Sequence, residues 1–112
     1  MPLVTYNVRD DDKIWAKLTY NMESKEFHLS IPKDIDLIKS PLTLSAYAEN
    51  GIFELDAEQS LKWVQMRVEP PSRMNIGMFL RDCGITEYDE YPLLLAHKGK
   101  CSQDWLYIEE VP

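Results

Sequence analysis

The stretch that decides the fold is LVTYNVRDDDKIWAKLTY, residues 3–20. Val4, Tyr6 and Val8 alternate with Thr5, Asn7 and Arg9, the period of two that marks a half-buried strand. Asp10-Asp11-Asp12 follows as a turn, because short acidic side chains accept hydrogen bonds from nearby backbone. Alternation resumes at Ile14, placing Ile14, Ala16, Leu18 and Tyr20 on one face. Working outward, Asn21–Lys25 is a polar break, and Phe27, Leu29 and Ile31 give a third apolar face. Pro32 ends the pairing, since it has no N–H to donate. Three strands joined by short turns make a meander.

Beyond Lys33–Ser40, which reads as a loop with a helical turn, Leu42–Tyr47 alternates again and predicts a fourth strand. Asn50-Gly51 is a strong hairpin dipeptide, and Ile52–Leu55 completes a second hairpin and supplies a fifth strand. The period then shifts to 3.6. Asp56 and Gln59 have the spacing of a capping box, and Ala57, Leu61, Val64 and Val68 form one helical stripe. Pro70-Pro71 stops that helix near Val68. Ser72 caps a second helix, with Ile76, Phe79, Leu80 and Cys83 as its stripe and Gly84 as its stop. Tyr88–His97 has helical composition, with Pro92 admissible only in a first turn. Trp105–Ile108 returns to strand character. The expected fold is α+β: an antiparallel sheet of about five strands packed against two or three short helices in a single domain, residues 1–112.

Composition narrows the function. The chain has 112 residues, 45% of them hydrophobic, with three Trp, six Tyr and three Phe, which is enough apolar material for one folded core. Nineteen acidic against twelve basic residues give a net charge of −7, an argument against direct nucleic-acid binding. No apolar run approaches the roughly 20 residues needed to span a bilayer, and Met1–Asp12 lacks the pattern of a secretory signal. Cys83 and Cys101 are too few for a disulfide framework and read as free thiols, so a cytoplasmic location is expected.

No catalytic, cofactor or metal motif is legible. His28 and His97 stand alone, without a second ligand at metal-binding spacing. Gly99-Lys100-Cys101-Ser102 lacks the preceding glycine of a phosphate loop, and Asp10–Asp12 lacks the glycine and terminal glutamate of a calcium loop. The aromatic residues carry more information. Trp63 falls off the Leu61/Val64/Val68 stripe, on the side of Met66 and beside the Arg67 flank. Such a tryptophan either widens the buried face or anchors a partner. In the second case Arg67 and Arg73 are its polar companions. Trp105, alternating with Tyr107, reads as sheet packing.

The order of these features resembles the small amino-terminal subdomain of the HipA-type toxin kinases, which in some systems is a separate HipS-like protein. The matching segments are Val4–Tyr20, Phe27–Pro32, Pro41-Leu42-Thr43-Leu44-Ser45, Lys62-Trp63-Val64, Pro70-Pro71-Ser72-Arg73, Tyr88–Leu95, and Gly99-Lys100 with Asp104. Ala16 stands where the family often has glycine, and Lys100 where its glycine loop has arginine. The resemblance implies a non-catalytic module, an antitoxin or regulatory subunit, that docks on a separate HipT-like kinase. Two other readings stand beside it. One is a small enzyme or ligand-binding protein using Cys101, His97 and Glu90. The other is a homodimer with a self-complementary Trp63 face.

Overall fold

A computed structural model of the chain describes residues 3–101 and 104–111. The first three strands are β1 (Leu3–Arg9), β2 (Ile14–Asn21) and β3 (Glu26–Ser30). They form the expected meander. Asp10 Oδ1 accepts from the backbone N–H groups of Asp12 and Lys13, closing the first turn. Asn21 Oδ1 does the same for Glu23 and Ser24 in the second.

The remaining elements are α1 (Leu42–Ala48), β4 (Glu54–Leu55), α2 (Ala57–Gln65), α3 (Ile76–Asp82), α4 (Glu90–Ala96) and β5 (Tyr107–Glu110). All five strands join one antiparallel sheet in the order β4-β3-β2-β1-β5. Tyr6, Val8, Leu18, Tyr20, Phe27, Leu29, Leu55 and Ile108 are buried from the sheet, together with Leu44, Val64, Leu80, Leu93 and Leu94 from the helices. The opposite phase of the strands is polar and more open, with Lys17, His28, Glu54 and Glu109 exposed. One sheet face is therefore covered and the other meets solvent, the ordinary solution for an antiparallel sheet.

Three local readings need correction. Leu42–Tyr47 is not a strand but the core of α1, a helix that buries Leu44, Ser45 and Ala48 and leaves Leu42 exposed. Leu44 and Ala48 are four residues apart, so this short run satisfies both periods and tertiary packing selects the helix. Asn50-Gly51 is consequently a helix stop rather than a hairpin. Gly51 has φ 75°, the Gly51 N–H bonds to Ala48 O and the Ile52 N–H to Tyr47 O, which together form a Schellman cap. The short β4 pairs with β3 instead of with the preceding segment.

The second correction lies in β2. Val8 faces Ala16 but Arg9 faces Ile14, leaving Trp15 without a partner in the register. This β-bulge inverts the alternation, so Ile14 is exposed and Trp15 is buried. The Trp15 indole N–H donates to Asp10 Oδ2 at 2.9 Å, tying the bulge to the acidic turn. The third correction concerns helix ends. α2 stops at Gln65, short of Val68, and α3 begins after Asn75 rather than Ser72. The Pro70–Arg73 turn occupies the difference, closed by the Arg73 N–H on Pro70 O.

The α2 start is as expected. Asp56 and Gln59 form the reciprocal capping box, with Asp56 accepting from the Gln59 N–H and the Gln59 side chain accepting from the Asp56 N–H. The Schellman cap at Gly84 and the first-turn position of Pro92 in α4 also agree with the sequence. No helix of the described residues is long and apolar enough to cross a membrane.

Candidate functional site

The stripe that α2 buries is Ser60, Trp63 and Val64, continued by Arg67 just past the helix end. These positions recur at i, i+3, i+4 and i+7, a helical face on which two of four residues are polar. Ser60 accepts from the Leu29 N–H at 2.9 Å and donates to Leu55 O at 3.1 Å, fastening α2 to β3 and β4. Trp63 is 0% exposed, among the largest fully buried side chains. Trp63 is therefore core, and the reading of it as a displayed partner anchor is corrected. The hydrophobic stripe through Leu61 located the helix but placed its buried centre one position off, because Ser60 and Arg67 carry no apolar signal.

Arg67 is buried as well, so it is not a surface companion to Trp63. Its guanidinium lies 4.7 Å from the Trp63 ring centroid, a cation–π contact inside the fold. Both terminal nitrogens donate to Asp104 at 2.7 Å, Nε donates to Gly99 O at 2.6 Å, and Nη2 also reaches Leu106 O. The two side chains are 0% and 5% exposed. Asp104 accepts in addition from Thr43 Oγ1 at 2.8 Å and the Leu106 N–H at 3.0 Å, with the Cys101 thiol at 3.9 Å. Burial alone pushes the Asp104 carboxyl up, but the bonds from Arg67 and Thr43 and the Arg67 charge outweigh it and hold the carboxyl below its ordinary range. A buried ion pair is tolerable when most of its remaining hydrogen-bonding capacity is met, and here four of the five guanidinium N–H groups have acceptors.

Arg73, the third residue of the expected partner group, is set apart from this pair. It stacks over Phe79 at 4.3 Å and pairs with Glu69 at 3.3 Å, part-exposed after the proline turn. The structure thus brings Trp63 and Arg67 together in the interior and leaves Arg73 elsewhere. Cys101, His97 and Glu90 do not converge either: α4 holds Glu90 at its start and His97 just past its end, roughly 10 Å apart along the axis. Cys83 and Cys101 are both free. His28 points outward and pairs with Glu54 at 2.8 Å. Among the described residues no three His, Cys, Asp or Glu side chains are grouped to hold a metal ion. Ser102, at the end of the Gly99–Ser102 segment, lies outside the described residues.

The clasp between Arg67 and Asp104 positions the segment that leads into β5. Trp105, expected to pack on the sheet, is 90% exposed at a bend before that strand. The Asp104 side chain caps the Leu106 N–H two residues on, an Asx-type turn that delays the strand until Tyr107 and turns the tryptophan outward. Trp105 lines an open cleft of about 710 Å³ between Lys100, Cys101 and Tyr107 on one side and the Asp10–Asp12 turn on the other. Hydrogen bonds from Trp15 and the turn's backbone offset burial and hold the Asp10 carboxyl below its ordinary range. Asp11 and Asp12 are exposed and form no ion pair among the described residues.

No protein-family model, curated protein or solved structure matches the chain.

Proposed function

We propose that this chain is a non-catalytic protein-binding module, a regulatory or antitoxin-like subunit that docks on a separate kinase of the HipT type. The observation that carries the binding reading is Trp105, an indole held 90% exposed by a segment that is itself anchored through a buried ion pair. Exposed tryptophan beside an open cleft is a recurrent anchor of protein interfaces. Leu42 and Ile38, at and before the start of α1, are also exposed apolar side chains. The buried polar group, the Arg67–Asp104 pair, is enclosed and engaged in holding the chain together through its own hydrogen bonds. The kinase as partner rests on the resemblance to the HipA-type amino-terminal subdomain.

The test is co-expression of the chain with the HipT-type kinase encoded nearest to it, followed by size-exclusion chromatography. Co-elution in a defined stoichiometry is expected. Separate elution of both folded proteins at micromolar concentration contradicts the proposal.

A further inference from the structure

We infer that the cleft between the acidic turn and the Trp105 segment docks a basic, extended segment of a partner protein, with an arginine or lysine stacked on Trp105 and facing the Asp11 and Asp12 carboxylates. The inference rests on the binding-module reading and names the surface and chemistry through which it acts. Three features of the cleft select this occupant. Its volume of about 710 Å³ and open form accept several side chains of an extended peptide. Its one fully displayed aromatic is a tryptophan, the ring type that best attracts a cation over its face. Its charge is acidic: Asp104 is neutralised by Arg67 and Asp10 is engaged by Trp15 and its own turn, leaving Asp11 and Asp12 against Lys100, the one cation among the described lining residues.

The same charge argues against a second copy of the chain as occupant. An isologous contact sets each patch against its own symmetry mate, so two acidic turns on chains of net charge −7 would approach one another. A cationic partner meets no such repulsion. The surrounding structure is also suited to recognition without rearrangement. Asp10 fixes the turn through bonds to Asp12, Lys13 and Trp15, and the Arg67–Asp104 clasp fixes the base of the Trp105 segment. Both walls of the cleft are held before a ligand arrives, which limits the ordering cost of binding.

The probe is a fluorescein-labelled peptide of sequence Arg-Leu-Arg-Ser-Leu-Arg, titrated with the full chain and followed by fluorescence anisotropy, with Glu-Leu-Glu-Ser-Leu-Glu as the control. Binding of the basic peptide alone is expected, weakening as salt is raised. Trp105→Ala is expected to weaken it at least tenfold, and Asp11→Asn with Asp12→Asn at least fivefold with most of the salt dependence gone. All three substitutions are at exposed positions, so unchanged melting curves verify the fold. No binding of the basic peptide, or equal binding by wild type and variants, overturns the inference. Self-association of the wild type that Trp105→Ala abolishes also overturns it, in favour of a second copy. In the co-expression experiment, a kinase complex insensitive to these variants removes this cleft and leaves the module reading intact. Peptide binding without a kinase complex removes the kinase and leaves the cleft.

Discussion

Two regions of the molecule are held by opposite means. Over the meander, apolar and aromatic side chains dominate: Tyr20 stacks on Tyr91 with ring centroids 3.8 Å apart, and Phe27 packs beside Tyr20 at 4.8 Å. At the carboxyl-terminal end, Arg67 and Asp104 replace such packing with a buried, hydrogen-bonded clasp that joins α1, the end of α2, the end of α4 and the approach to β5. Burial of apolar area is non-directional and tolerates repacking. A buried ion pair is directional and fails steeply when one partner is lost. The first region is therefore the fold's mass, and the second is a joint that fixes where a short surface segment lies.

The contrast breaks most readily at Trp63, where the two regions meet. Trp63→Ala should cost about 3–5 kcal/mol, a large part of the roughly 5–15 kcal/mol total of a small domain, measured by urea unfolding. A loss below about 1 kcal/mol would place the indole outside the core.

Asp104→Asn should cost a similar amount, about 3–5 kcal/mol, because it leaves the Arg67 charge buried without its counterion. It should also remove an acid-dependent part of stability. The folded carboxyl is held below its ordinary value of 3.8, so the unfolded chain binds more protons in that window. The stabilisation is complete above that value and is lost as pH falls through the lower folded-state value. Melting temperature measured from pH 5 down to pH 2 should fall more steeply in the wild type than in Asp104→Asn.

Gly99→Ala probes the same joint on a smaller scale. Gly99 has φ 74°, and an added Cβ would lie 2.9 Å from Ile108 Cγ2, so the substitution strains the α4–β5 connection. A loss of about 1–3 kcal/mol is expected from differential scanning calorimetry. Trp105→Ala stands at the other extreme. Its indole is outside the core, and stability should stay within about 0.5 kcal/mol of wild type while the proposed partner contact is lost.

The sequence was most legible where one period dominated. The meander, the Asp56/Gln59 capping box, Gly84 as a stop and Pro92 in a first turn were all readable because each rests on local chemistry. The errors fell where local signals conflict. Leu42–Ala48 fits both periods, and the bulge at Trp15 inverts a face without altering composition. The clasp was illegible because its parts are 24 and 37 residues apart (Thr43 to Arg67, and Arg67 to Asp104) and polar residues give no periodic signal. Trp105 was misplaced because alternation with Tyr107 masked the Asp104 turn, although an aspartate two residues before a backbone donor is a readable Asx pattern.

A double-mutant cycle on Arg67→Met and Asp104→Leu, read by urea unfolding, tests the clasp most directly. The two side chains share hydrogen bonds and are coupled if the pair holds the joint. Each single variant should lose about 3–5 kcal/mol, and the double should recover about 2 kcal/mol or more relative to their sum, since apolar replacement of both partners leaves no orphaned charge. Losses that add to within about 0.5 kcal/mol would show that the two residues act independently, and would contradict the account.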